Sequence, residues 1–112
     1  MKQTFSKEFQ SALDVYMQHL VDDYKAWQKR GKYAGDENML VTIEPGSKFV
    51  KIVHSTYNQR SVHSFVALPA SKWAEGDILK PAGWKAPAQN FIRGNIFKPD
   101  SYKTRASWSG VH

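Results

Sequence analysis

Cysteine is absent from this chain, which excludes disulfides, thiolate metal sites and thiol chemistry. A reducing cytoplasm suits that composition. Long apolar runs are also missing. No stretch approaches the roughly 18 consecutive apolar residues of a membrane span. The opening Met1-Lys2-Gln3-Thr4-Phe5-Ser6 lacks the apolar segment of a signal peptide. A cytoplasmic location without membrane association is therefore expected. Carboxylates are scarce beyond residue 44, where only Glu75, Asp77 and Asp100 occur. That scarcity argues against a hydrolase built on paired carboxylates. There is no Gly-x-Ser-x-Gly, no Walker lysine motif and no Gly-x-Gly-x-x-Gly. The chain thus offers no catalytic signature, and neither a metal nor a cofactor is expected.

What is present is basic charge, unevenly placed. Residues 1–44 hold six Lys/Arg and seven Asp/Glu, a net −1; residues 45–112 hold ten and three, a net +7. A one-sided positive field favours acidic partners such as nucleic acid, an anionic protein surface or a phosphate-bearing ligand. A merely soluble basic surface is the plainer alternative. The length of 112 residues and a hydrophobic content of 41% suit one domain over residues 1–112 with a single core. Residues 6–30 are its helix and 39–110 its β-rich basic part.

Phe9, Leu13, Tyr16, Leu20, Tyr24 and Trp27 recur at spacings of three and four, which predicts an amphipathic helix from Ser6 to Arg30. Ser6 is its expected N-cap, with Glu8 in the first turn and Gly31 as the C-cap. A loop over Lys32–Asn38 precedes strands at Met39–Glu44, Lys48–Thr56 and Arg60–Leu68, with Pro45-Gly46 as the first turn. With Asn58-Gln59 as a two-residue turn, Ile52 faces Phe65 and His54 faces His63. Val50, Ile52, Phe65 and Ala67 then share a face with both histidines. A fourth strand runs from Asp77 to Lys80 and stops at Pro81. Ala88–Ile92 reads as one helical turn, Ile96-Phe97 as a short last strand, Pro99–Arg105 as a turn or short helix, and Trp108–His112 as a tail. The expected fold is α+β: one N-terminal amphipathic helix packed on a small, mostly antiparallel sheet of four or five strands.

Two constellations carry possible chemistry. Two facing imidazoles, His54 and His63, have the donors for a metal or for acid and base roles, with Asp77 as a third group. The plainer reading is a buried His63 bonded to backbone or to Asp77. Ser61 and Ser64 flank His63, but neighbours on a strand point to opposite faces. The second constellation interleaves aromatic rings with cations: Tyr57/Arg60, Trp73/Lys72, Trp84/Lys85, Phe91/Arg93, Phe97/Lys98, Tyr102/Lys103 and Trp108/Arg105. Single-stranded nucleic acid needs this mixture, rings to stack on bases and cations to follow phosphates. Packing into the core is the plain alternative for most of these rings. Trp84, between Gly83 and Lys85 in a loop, is the ring expected to be exposed.

The ordered series Lys51-Ile52-Val53, Arg60-Ser61-Val62-His63-Ser64-Phe65-Val66, Gly76-Asp77-Ile78-Leu79-Lys80-Pro81-Ala82-Gly83-Trp84-Lys85-Ala86-Pro87-Ala88 and Arg93-Gly94-Asn95, with Ala106-Ser107-Trp108-Ser109-Gly110 at the end, resembles a family of small, functionally uncharacterised proteins encoded by tailed bacteriophages. The resemblance covers roughly Val41 to Gly110. It implies a phage protein working in the host cytoplasm and carries over no catalytic residue. It singles out His63, Asp77, Lys80, Trp84, Lys85, Arg93 and Asn95. With Arg60, these residues form the expected binding surface for nucleic acid. The alternative partner is a host polymerase, nuclease or defence protein. An enzyme using His63 and Asp77 is the third reading.

Overall fold

A computed structural model describes residues 6–31, 40–56, 59–89, 92–107 and 110–111. Helix α1 spans Lys7–Gly31. The Ser6 hydroxyl accepts the Phe9 backbone N–H at 3.1 Å, the N-cap bond that satisfies one of the orphan donors of the first turn. The periodic stripe is the buried face: Phe9, Leu13, Tyr16, Leu20 and Tyr24 are fully covered and Trp27 is half-buried. The predicted loop over Lys32–Asn38 lies outside the described residues. Among the described residues no helix is long and apolar enough to cross a membrane.

Five antiparallel strands follow in the order β1-β2-β3-β4-β5, with β1 at Leu40–Pro45, β2 at Phe49–Thr56, β3 at Gln59–Ala67, β4 at Asp77–Leu79 and β5 at Gly94–Asn95. The α+β reading, with one helix on a mostly antiparallel sheet, therefore holds. The last strand lies two residues earlier than Ile96-Phe97, because the Lys98 N–H bonds back to Asn95 O at 2.9 Å and turns the chain there. Helix α2 covers Pro99–Tyr102. The expected tail is instead a second small ribbon, in which β6 (Ala106–Ser107) pairs with β7 (Gly110–Val111). The helical turn at Ala88–Ile92 is not formed at Ala88 and Gln89, which lie in irregular chain; residues 90–91 are outside the described set.

The hairpin register differs from the expected one. Strand pairing closes at Thr56↔Gln59, so Gln59 belongs to β3 rather than to the turn. Ile52 faces Ser64, Lys51 faces Phe65, and His54 faces Ser61. A one-residue slip exchanges the two faces of a strand, so Phe65 leaves the face of Val50 and Ile52 and joins Lys51. A β-bulge between Ile52 and Val53 inserts His63 as an extra residue. The bulge turns His63 and its neighbour Ser64 both toward α1, where alternation would have separated them.

Both faces of the sheet are covered. Val50, Ile52, Val66 and Ile78 pack with the α1 stripe, joined by Ile96, Tyr102, Ala106 and Val111. On the opposite face Val53, Phe65 and Leu79 are also buried. Their face is shared with the 81–89 arm, which leaves β4 and folds back over the sheet. Ala88 N–H bonds to Lys80 O at 2.7 Å and Ala82 N–H to Ala86 O at 3.0 Å, so the arm is a narrow hairpin with Gly83, Trp84 and Lys85 at its tip.

Candidate aromatic-cationic surface and the histidine cluster

The tip of the arm delivers Trp84 to the sheet's outer face. Lys51 Nζ lies 4.7 Å and Arg60 Cζ 5.6 Å from the centre of its ring, both within cation–π range. These cations rise from β2 and β3, and both also pair with Glu44 of β1: Lys51 at 3.8 Å, and Arg60 through a direct guanidinium–carboxylate bond. The indole is thus held against two charges that are themselves tied to the sheet. It remains 44% exposed. Lys85 is exposed beside it, and Lys80 is exposed at the base of the arm. The structure therefore brings Arg60, Trp84 and Lys85 to one surface. Lys51, Lys48 and Glu44 belong to the same surface, and the sequence analysis did not select them. Lys51 lies within β2 with its side chain only 14% exposed, and a lysine inside an apolar strand gives no sign of which ring it will meet across the sheet.

The other selected residues lie elsewhere. Asp77 and Asn95 bond to each other and form a lock at the sheet's far end. Asn95 Nδ2 donates to Asp77 Oδ1 at 3.0 Å and to Glu75 O at 3.1 Å, while its Oδ1 accepts Phe97 N–H at 2.8 Å. The second Asp77 oxygen accepts Ala74 N–H at 3.0 Å. Both side chains are spent inside the fold. Arg93 is half-buried beside β5, its N–H bonded to Ile78 O at 2.7 Å. Of the interleaved rings, Tyr102 is a core residue, and Phe97 meets Phe9 edge to face at 6.2 Å. Tyr57, Phe91 and Trp108 fall outside the described residues.

His63 is also internal, at 1% exposure. Its Nε2–H donates to Ser107 O at 2.6 Å. In the neutral ring that leaves Nδ1 as the acceptor, and Ser64 Oγ lies 2.9 Å from it. Tyr16 O–H then donates to Ser64 Oγ at 2.8 Å. The result is a directed chain from α1 through β3 to β6. His19 of α1 holds the same ribbon, with Nε2–H donating to Ala106 O at 2.8 Å. His54 meets His63 at right angles, ring centres 5.6 Å apart. The two imidazoles are neighbours because of the bulge, not because of the predicted register. Asp77 bonds elsewhere, and among the described residues no three His, Cys, Asp or Glu side chains form a metal site. Hydrogen bonding of His63 to backbone is the arrangement found.

Burial holds the Tyr16 phenol far above its ordinary range, the Ser64 bond offsetting part of that effect. Burial also raises Tyr102 and lowers His54. The His54 Nδ1 is buried without a hydrogen-bond partner among the described residues. The unfolded chain therefore binds more protons than the native one below the ordinary histidine value of 6.5. Stability from this group is present in full above that pH. It falls as the pH drops from there through the lowered native value. Urea midpoints at decreasing pH are expected to show this loss, and His54→Gln to flatten it.

No curated protein and no solved structure matches this chain. The profile of one protein family matches it from residue 1 to residue 112. The protein belongs to that family, DUF7717, a family of unknown function.

Proposed function

We propose that this is a small nucleic-acid-binding protein that uses the Trp84 surface to hold single strands. The observation that carries the reading is the half-exposed indole, set against Lys51 and Arg60 with Lys85 beside it. A ring immobilised by cations on its sheet side presents its remaining surface to a base at little entropic cost, and such stacking contributes about 1–3 kcal/mol per base. Lys48, Lys51, Arg60 and Lys85 supply four cations against the one carboxylate of Glu44. The resemblance to tailed-phage proteins supports a site of action in the host cytoplasm, where the partner would be phage or host nucleic acid.

Fluorescence anisotropy with a labelled single-stranded oligonucleotide tests this. Trp84→Ala is expected to weaken binding about tenfold. The affinity should fall as salt rises, with a log–log slope of about −2 for three neutralised phosphates. Absence of binding at low salt removes the reading.

One observation favours a second reading, a protein that binds and modulates a host polymerase, nuclease or defence factor. Glu44 already engages two of the cations, which weakens their pull on phosphate, and Trp beside Arg is hot-spot chemistry for a protein partner. That reading predicts a stoichiometric complex that survives nuclease treatment and is lost with Trp84→Ala.

A further inference from the structure

We infer that the cavity beside the Trp84 arm is a nucleotide site that seats one base with its attached phosphate. This deepens the nucleic-acid reading and rests on it. The cavity, about 450 Å³ in volume, lies between the β1–β2 turn and the 81–89 arm, and Trp84 does not line it. That volume is in the range of small-molecule sites.

Its walls supply three kinds of chemistry, cationic, apolar and amide, with the Glu44 carboxylate also on the lining. Lys48 stands on the turn and Lys85 on the arm, so two exposed cations approach the space from different elements. Neither has an ion-pair partner among the described residues. Lys51 adds a third ammonium at the floor, tied to Glu44. The apolar part is Phe49 and Phe65, whose rings meet edge to face at 6.2 Å. Phe65 is buried and Phe49 only partly, so Phe49 is the ring a ligand would meet. Gln89 completes the wall. Its Oε1 accepts the Trp73 indole N–H at 3.2 Å, which leaves the amide NH₂ as the donor for the cavity.

An apolar ligand would leave the lysines without counter-charge, and a bare anion would leave the aromatic wall unused. A planar heterocycle carrying acceptors and a phosphate uses all three features. The same unit comes from two sources, a free nucleoside phosphate or one residue of a strand lying across the face.

The test titrates the four nucleoside 5′-monophosphates and inorganic phosphate by calorimetry. Anisotropy with an oligothymidylate of about ten nucleotides runs in parallel, a length that spans a typical single-strand site. At least one monophosphate is expected to bind more tightly than inorganic phosphate. Lys48→Gln and Lys85→Gln should each weaken it about fivefold. Lys98→Gln, a lysine at the start of α2, should not. Competition between monophosphate and oligonucleotide identifies the strand as the source. Binding of both without competition identifies the free nucleotide. If no monophosphate binds while the oligonucleotide does, the cavity site is overturned and the Trp84 surface stands. If monophosphates bind and the oligonucleotide does not, the strand-binding reading falls and the cavity site stands. Equal losses with Lys98→Gln, or equal affinity for inorganic phosphate, overturn the site.

Discussion

His63→Ala is expected to lower folding stability by about 3–5 kcal/mol, the cost of a buried cavity together with a broken buried hydrogen-bond chain. The imidazole is 1% exposed and sits in the β3 bulge. Truncation removes the donor to Ser107 O and the acceptor for Ser64. The Ser64 hydroxyl, itself fully buried and bonded to Tyr16, would lose one of its two partners. Domains of this size are commonly stable by only about 5–15 kcal/mol, so the loss is a large fraction of the total. Urea unfolding gives the magnitude. Amide exchange gives the location, because the β6–β7 ribbon should lose protection before the sheet does. His63→Phe, which fills the space without the donor, should recover part of the stability and none of the ribbon's protection. Unchanged stability in His63→Ala would show that the chain from Tyr16 to Ser107 holds nothing in place.

Gly76→Ala is expected to cost about 2–3 kcal/mol, more than most single changes at a loop position. Gly76 has φ +91°, a backbone conformation that residues with a Cβ rarely adopt. A Cβ there would lie 2.8 Å from two atoms of the Phe97 ring and 3.0 Å from Asn95 Oδ1. The ring is partly exposed and can give way. Asn95 cannot do so cheaply, because it holds Asp77, Glu75 O and Phe97 N–H at once. Gly83→Ala is the matched control. Nothing lies within 4 Å of its Cβ position, so thermal melts should place it within about 0.5 kcal/mol of wild type. Equal effects at the two glycines would contradict the lock at the β4–β5 end.

The candidate surface was legible in part. The pairing of Trp84 with a nearby cation was visible in the sequence, and the ring is half-exposed on a basic face. Its partners are not the adjacent Lys85 but Lys51 and Arg60, brought to it by the folding back of the arm. His63, Asp77 and Asn95 have the polar chemistry of site residues, yet each is consumed in internal bonds. Residue type reports what a side chain can bond to and is silent on whether the fold has already used it.

Some features were local enough for the chain alone to determine. The α1 stripe follows from spacing, because a helix buries whatever recurs every three to four residues. The cap at Ser6 follows from one hydroxyl placed before that stripe. The α+β class follows from one long helical period ahead of several short β-prone runs. The register of β2 against β3 needed the tertiary structure. Phe49-Val50-Lys51-Ile52-Val53 and Val62-His63-Ser64-Phe65-Val66 are apolar on both faces, so alternation cannot say which side is inward. α1 covers one side and the 81–89 arm the other, and a bulge at His63 shifts the pairing between them. Packing against two covering layers, distant in sequence from the hairpin, decides what the hairpin's own residues leave open.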